Sequence, residues 1–123
     1  MKIIYTAGPI TTDHANYRWQ FHMVARDYAF QIWQRGHVAL CPHMNTMFMD
    51  DPSIPAGVFY EGDLEMIRRC CDGMLMLPGW RKSKGSVKEL AVAKELGIEI
   101  FYHDFIDELW EYLAEQEVEN AVY

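Results

Sequence analysis

Short, continuously apolar segments alternate along the chain with longer segments of mixed polarity. Four of the short segments predict β-strands, at residues 2–7, 37–41, 73–77 and 98–102. Continuous apolarity, rather than strict alternation, is typical of strands that are covered on both faces, as in parallel sheets. The pairs Gly8-Pro9 and Pro78-Gly79 mark the ends of the first and third of these strands.

Between the strands, apolar residues recur at helical spacing. They predict four helices, at residues 16–35, 58–70, 85–96 and about 104–117. Asn16 is a typical N-cap residue for the first helix, and Gly36 and Gly97 are stop signals after the first and third. Residues 43–57, rich in Met, Asp and Pro, have no clean period. A loop of that length in a small domain is typically functional or mobile.

Strands that alternate with helices indicate a parallel sheet with helices on both faces, connected by right-handed crossovers. We therefore expect an α/β fold, a three-layer sandwich of flavodoxin or Rossmann type with four to five parallel strands. The 123 residues, of which 50 % are hydrophobic and 24 % charged, suit a single packed domain over residues 1–123.

Composition excludes several classes of function. The net charge of -7 argues against broad binding to nucleic acid phosphates, so we expect no duplex nucleic acid partner. Nowhere do eighteen apolar residues follow one another, and no membrane is implied. Cys41, Cys70 and Cys71 cannot all pair within one chain, which favours reduced thiols and a cytoplasmic location. No second Cys or His pair completes a zinc site, so we expect no metal.

Ligands of such sheets bind beyond the carboxyl ends of the strands. This rule selects the loops at residues 8–12 and 78–86, after the first and third predicted strands. The second loop contains Lys84-Gly85-Ser86, in which the Lys precedes the Gly, whereas a P-loop requires the order Gly-Lys-Ser/Thr. No G-x-G-x-x-G follows the first strand. We therefore expect neither an NTPase nor a dinucleotide-binding protein, and no cofactor.

The pattern Ser86-x-x-Glu89 at the start of the third predicted helix has two interpretations. It can be a capping box, in which the two side chains satisfy each other's backbone amides. Alternatively, Glu89 in the first helical turn is kept ionised by the helix dipole and serves as a nucleophile at the mouth of the crevice. Asp63 can likewise be a capping or solvated carboxylate, and Tyr5 can belong to the core.

Five short motifs occur in order along the chain: Ile4-Tyr5-Thr6-Ala7-Gly8-Pro9-Ile10, Asp63-Leu64-Glu65, Cys71-Asp72, Leu77-Pro78-Gly79-Trp80, and Ser83-x-Gly85-Ser86-x-x-Glu89-x-x-x-Ala93-x-x-Leu96-Gly97. Together they resemble the nucleoside 2-deoxyribosyltransferase superfamily, and more narrowly its small phage and bacterial branch, a DUF4406-like domain of unknown function. Each motif alone is weak, whereas their joint order over residues 2 to about 102 is specific.

The resemblance implies cleavage or transfer at the N-glycosidic bond of 2′-deoxynucleosides through a covalent deoxyribosyl-Glu intermediate. Glu89 matches the catalytic nucleophile, Asp63 the acid that handles the leaving base, and Tyr5 the residue that orients the nucleophile's carboxylate. The residues expected to bind substrate are Gly8, Pro9, Ile10, Asn16, Trp80, Ser83, Gly85 and Ser86. Gly8 matches a small residue that lets the sugar approach the first strand. Trp80, Phe48 and Phe59 are candidate walls for the base.

Ser83 departs from the transferase pattern. In the transferases that this chain resembles, an Asp at this position often holds the sugar hydroxyl, whereas in deoxynucleotide hydrolases a Ser receives the 5′-phosphate. A 2′-deoxynucleoside 5′-monophosphate N-glycosidase is therefore an alternative function, and a non-catalytic nucleotide-binding module is another. The identity of the base stays open. The resemblance also implies a homo-oligomer with shared active sites, and the last residues, 120–123, resemble a transferase carboxyl terminus that lies near the site.

Overall fold

The computed structural model describes residues 1–10 and 15–120, apart from the side chains of residues 15, 16 and 116–120. Its sheet has four parallel strands: β1 (Ile3–Ala7), β2 (Val38–Leu40), β3 (Gly73–Met76) and β4 (Glu99–Tyr102). They lie in the order β2-β1-β3-β4. All four predicted strands are confirmed, with ends that differ by at most one residue.

Five α-helices connect or follow the strands: α1 (Ala15–Gln34), α2 (Pro42–Asn45), α3 (Val58–Cys70), α4 (Lys84–Glu95) and α5 (Ile106–Asn120). Two 3₁₀ turns, Trp80–Lys82 and His103–Phe105, precede α4 and α5. The four predicted helices are confirmed, whereas α2 was not expected inside the irregular segment. The predicted N-cap at Asn16 is wrong, because α1 already includes Ala15.

The sheet is covered on both faces, as the continuous apolarity of its strands predicts. On one face Ile4, Leu75 and Leu77 pack with residues of α1 and α5, such as Ile32 and Leu109. Successive strand residues point to opposite faces. The alternate residues of β1 and β3 therefore form a second core with α3 and α4: Tyr5, Ala7, Met74 and Met76 pack there with Leu64, Ile67, Leu90 and Ala93. The three-layer α/β sandwich is confirmed.

The strand order creates a topological switch point between β1 and β3. From β1 the chain crosses through α1 to β2, and from β3 it crosses through α4 to β4 on the other side. The two connections diverge, so a crevice opens beyond the carboxyl ends of the two central strands. Gly79 adopts a left-handed backbone with φ of 84°, which favours glycine and turns the chain out of the sheet after β3.

Candidate active site

A cavity of about 920 Å³ lies over the switch point. Its walls come from the loop after β1, from α1, α2 and the segment that follows α2, from α3, and from the start of α4. The cavity brings together most of the site residues predicted from the sequence: Gly8, Pro9, Ile10, Asp63, Ser83, Gly85, Ser86 and Glu89. Its volume is within the range of small-molecule sites, about 300–1,000 Å³.

Glu89 and Tyr5 form a buried pair at the floor of this cavity. Glu89 is the sixth residue of α4, and 7 % of it is exposed. Tyr5 lies in the middle of β1 and is fully buried. The Tyr5 hydroxyl donates a short hydrogen bond to Glu89 Oε2 across 84 residues of sequence. The carboxylate is therefore held in one orientation by a rigid element of the central sheet.

Burial governs the protonation of this site. It raises the pKa of Glu89 from 4.5 to about 7, with a further upward contribution from the charge of Asp63 and an opposing one from the Tyr5 hydrogen bond. Burial also raises the pKa of Asp63 from 3.8 to about 6. Burial and the charge of Glu89 raise the pKa of Tyr5 far above its ordinary value, so this phenol stays a hydrogen-bond donor. Both carboxyl groups consequently change their protonation state near neutral pH.

The capping-box interpretation of the Ser86-x-x-Glu89 pattern is wrong, and so is the expectation that the helix dipole keeps Glu89 ionised. The N-cap of α4 is Ser83, whose side chain accepts a hydrogen bond from the Ser86 amide at 3.2 Å. Glu89 bonds to Tyr5 instead of closing a capping box with Ser86. Glu89 also lies in the second turn of α4, where desolvation outweighs the helix dipole and raises its pKa. The dipole therefore does not keep this carboxylate ionised.

The start of α4 presents polar hydrogens and positive charge to the cavity. Ser83 Oγ accepts two hydrogen bonds, from the amide of Ser86 and, at 2.9 Å, from its hydroxyl. The Ser83 hydroxyl proton therefore remains available for a ligand. Three basic side chains, Arg18, Lys82 and Lys84, line the same cavity. This wall suits an anionic group.

Close packing constrains Gly8 and Gly79, the glycines that follow β1 and β3. A Cβ atom on Gly8 would lie 2.8 Å from Leu77 Cβ, closer than such atoms approach. A Cβ on Gly79 would lie 3.2 Å from Pro9 Cγ. Close contact between the loops after β1 and β3 therefore already requires glycine at position 8. The expected sugar contact would add to that requirement.

His43 is a cavity residue that the sequence interpretation missed. It is 2 % exposed, and its Nε2 donates to the Pro9 carbonyl oxygen at 2.9 Å. Burial lowers its pKa to about 4, so the ring is neutral and holds the Pro9 loop in place. His22 packs edge-on against it at 5.5 Å and lines the cavity too. The available signal was the position of His43 directly after β2, where the rule of carboxyl ends also applies.

Other predicted residues lie elsewhere. Trp80 is not among the residues that line the cavity: it is partly buried and packs against the core beside Tyr102, with 5.7 Å between ring centroids. Phe48 and Phe59 do line the cavity. The Asn16 backbone belongs to the first turn of α1, but its side chain lies outside the described residues, as do residues 121–123.

Metal-binding clusters and membrane-spanning helices were both sought among the described residues. Among the residues that the structure describes, no three His, Cys, Asp or Glu side chains cluster so as to hold a metal ion. Within the same residues, no helix combines the length and the apolar composition that a membrane crossing requires.

A family model described as a domain of unknown function (DUF4406) matches residues 2–102. No curated protein matches the chain. The matched range contains the complete sheet, helices α1 to α4 and every residue named above at the cavity, whereas α5 follows it.

Proposed function

Because the chain belongs to the DUF4406 family, a domain of unknown function, we propose a function from its site and its motifs: it cleaves or transfers at the N-glycosidic bond of 2′-deoxynucleosides. In this proposal it is an enzyme similar to the nucleoside 2-deoxyribosyltransferases and forms a covalent deoxyribosyl ester on Glu89. Asp63 serves the leaving base, and Tyr5 orients the nucleophile.

The hydrogen bond between Tyr5 and Glu89 is the observation that carries the proposal. Ionising a buried carboxyl group costs free energy, because the charge loses its solvation. Glu89 would avoid this cost if it lay on the exposed surface of α4. A site that holds this carboxylate beneath a cavity, against a phenol that stays protonated, supplies a fixed and poorly solvated nucleophile. Asp63 lies in the wall of the same cavity, so a second carboxyl group is available for proton transfer.

The two carboxyl groups have different roles in the proposed reaction. Glu89 attacks C1′ while the bond from C1′ to the base nitrogen breaks, and Asp63 gives its proton to the departing base. A glycosyl ester remains on Glu89. In transfer, the nitrogen of a second base attacks C1′ while the ester bond from C1′ to Glu89 breaks, which releases the Glu89 carboxylate, and the base returns a proton to Asp63; in hydrolysis, water does the same. Two inversions retain the configuration at C1′, and the missing 2′-hydroxyl makes the cation-like transition state easier to reach.

The order of the two pKa values predicts how the rate depends on pH. Attack requires ionised Glu89, with a pKa of about 7, while the departing base requires protonated Asp63, with a pKa of about 6. Two forms of the site carry a single proton, either on Glu89 or on Asp63. The reactive form, with the proton on Asp63, is the less populated of the two. The rate should follow a bell with its maximum between the two values, near about pH 6.5.

The wall beside α4 favours a second candidate, hydrolysis of 2′-deoxynucleoside 5′-monophosphates. Ser83 offers a hydroxyl where a carboxylate would repel phosphate. Arg18, Lys82 and Lys84 bring three positive charges to the same cavity, although the chain as a whole is acidic. These residues support a phosphate subsite, and Phe48 and Phe59 of the same cavity provide apolar surface for a base.

One assay separates the candidates. The protein is incubated with deoxynucleosides or with deoxynucleoside monophosphates, with and without a free base, and released and exchanged bases are followed by chromatography. Exchange that depends on the acceptor base identifies a transferase, and base release from monophosphates without acceptor identifies the hydrolase. Binding without products would identify the non-catalytic module and overturn both enzymatic proposals.

Two variants test the role of the nucleophile. Glu89→Ala should abolish turnover, whereas Glu95→Ala, on the exposed side of the same helix, should leave it unchanged. Intact-protein mass spectrometry of acid-quenched reactions should detect a deoxyribosyl adduct on the unmodified chain and none on Glu89→Ala. Undiminished turnover by a folded Glu89→Ala protein would remove Glu89 from its proposed role.

A further inference from the structure

Two histidines, His22 of α1 and His43 of α2, form one corner of the candidate active site. Both rings line the cavity, and they pack edge to face with 5.5 Å between their centroids. His22 is partly exposed, whereas His43 is buried. Neither ring takes part in the proposed reaction, whose carboxyl groups come from α3 and α4. The corner is therefore free to contact another part of the ligand.

The hydrogen-bond partners of the two rings fix their tautomers. His22 Nδ1 lies 2.8 Å from the carbonyl oxygen of Arg18, and His43 Nε2 lies 2.9 Å from that of Pro9. A carbonyl oxygen can only accept, so the hydrogen of each neutral ring lies on the nitrogen that faces the carbonyl. The other nitrogen of each ring, His22 Nε2 or His43 Nδ1, therefore carries a lone pair and no hydrogen.

Neither lone pair has a partner among the residues that the structure describes. His43 Nδ1 is buried and makes no hydrogen bond to them, and His22 Nε2 makes none either. A buried polar atom without a partner requires an explanation, and a role towards a ligand is one. Burial lowers the pKa of His43 to about 4, so its lone pair persists at neutral pH.

A corner with two lone pairs and no hydrogen discriminates between nucleobases by their exocyclic groups. The amino group at C6 of adenine or C4 of cytosine donates hydrogen bonds, whereas an oxo group at the same position accepts them. An amino hydrogen can bond to His22 Nε2, and the unscreened lone pair of buried His43 adds to the attraction. An oxo oxygen placed there would meet only lone pairs and would lose its hydrogen bonds to water.

We propose that His22, assisted by His43, selects deoxynucleosides whose base is a 6-aminopurine or a 4-aminopyrimidine. This inference rests on the proposed function, because it takes the ligand of the cavity to be a deoxynucleoside. It adds the class of base, which the sequence motifs leave open. His22 is in this proposal a specificity-determining residue that contacts the edge of the base, away from the bond that breaks.

Two matched pairs of ligands test the selection: 2′-deoxyadenosine against 2′-deoxyinosine, and 2′-deoxycytidine against 2′-deoxyuridine. Each pair exchanges the amino group for an oxo group. Calorimetric titration of the Glu89→Gln protein measures binding without turnover, at about pH 8, where imidazoles are ordinarily neutral. In each pair that binds, the amino ligand should bind about 10- to 100-fold more tightly, the usual effect of leaving a polar group unpaired.

His22→Phe, in the same Glu89→Gln protein, keeps an aromatic ring against His43 but removes the lone pair. It should abolish the preference by weakening the amino ligand, while the affinity for the oxo ligand does not fall, which shows that the site is intact. His103→Phe is the matched control, because His103 lies in the turn before α5 and is not among the residues that line the cavity. This variant should keep the full preference.

Three results would overturn the proposal: an equal or reversed preference in Glu89→Gln, a preference that survives His22→Phe, or no binding of any of the four ligands. Turnover of the same ligands by the wild-type protein separates this proposal from the proposed function. An amino preference in binding without any turnover would refute the enzymatic function and leave the role of His22 standing. Turnover that does not distinguish the members of a pair would do the reverse.

Discussion

Replacing Glu89 with Gln should stabilise the folded protein, and the gain should grow with pH. The folded-state pKa of Glu89 is about 7, against 4.5 for the free side chain. A carboxyl group with a raised folded pKa contributes its full stability below pH 4.5, and that contribution is lost as the pH rises through 7. At about 1.4 kcal/mol per pKa unit, the loss amounts to about 3 kcal/mol.

Gln avoids this loss because it is neutral at every pH and nearly the same shape as Glu. Its amide oxygen can still accept the hydrogen bond from Tyr5. The variant should therefore have about the same free energy of unfolding as the wild type near pH 4.5, and should exceed it by about 3 kcal/mol at pH 8. Activity should be lost at the same time, which is the exchange of stability for function expected of a buried nucleophile.

Urea unfolding at a series of pH values measures this difference. Asp63 titrates in both proteins, so subtracting the two curves isolates the contribution of Glu89. Glu95→Gln is the matched control, because Glu95 is exposed on the same helix, and its curve should run parallel to the wild type. A difference between wild type and Glu89→Gln that does not change with pH would refute the argument that burial opposes the charge of Glu89.

Three further substitutions test the surroundings of this carboxylate. Tyr5→Phe removes a hydrogen bond to a charged group, worth about 1.5–3 kcal/mol, so the pKa of Glu89 should rise by about one to two units. Because Glu89 has the higher of the two pKa values, the basic limb of the profile of kcat/KM against pH should move up by that amount and the maximum should fall; an unmoved basic limb would contradict the orienting role. Gly8→Ala should lower the free energy of unfolding by about 1–3 kcal/mol, because its Cβ would overlap Leu77 Cβ; an unchanged melting temperature in thermal unfolding would contradict the overlap. Ser83→Asp should lower kcat/KM for monophosphates relative to nucleosides at least about tenfold through charge repulsion, and an unchanged ratio would argue against a phosphate at this wall.

Much of the fold could be predicted from the sequence because its signals are local. Each buried strand is a short apolar run that ends at Gly-Pro, Pro-Gly or a similar stop, and each long helix shows its own period. The loops at the carboxyl ends of β1 and β3 could also be predicted as the site, since a parallel α/β sheet places ligands there whatever its details. The helix α2 was missed because four residues are too few to show a period.

Side-chain directions in the site could not be predicted in the same way. Trp80 follows β3 in the expected loop, but a 3₁₀ turn directs its ring into the core against Tyr102. His43 lies in a segment without a pattern, and only its contact with the Pro9 carbonyl makes it part of the cavity wall. Both outcomes depend on how neighbouring segments pack, which residue types alone do not encode.

The sequence by itself determined the order of elements, the parallel sheet and the loops in which chemistry should occur, because these follow from periodicity and from the handedness of the crossovers. Only the tertiary structure decided that Glu89 pairs with Tyr5 instead of capping its own helix. Packing α4 against β1 removes that carboxyl group from water and raises its pKa. Desolvation depends on all the atoms that surround a group, and here they come from residues that are up to 84 positions apart along the chain.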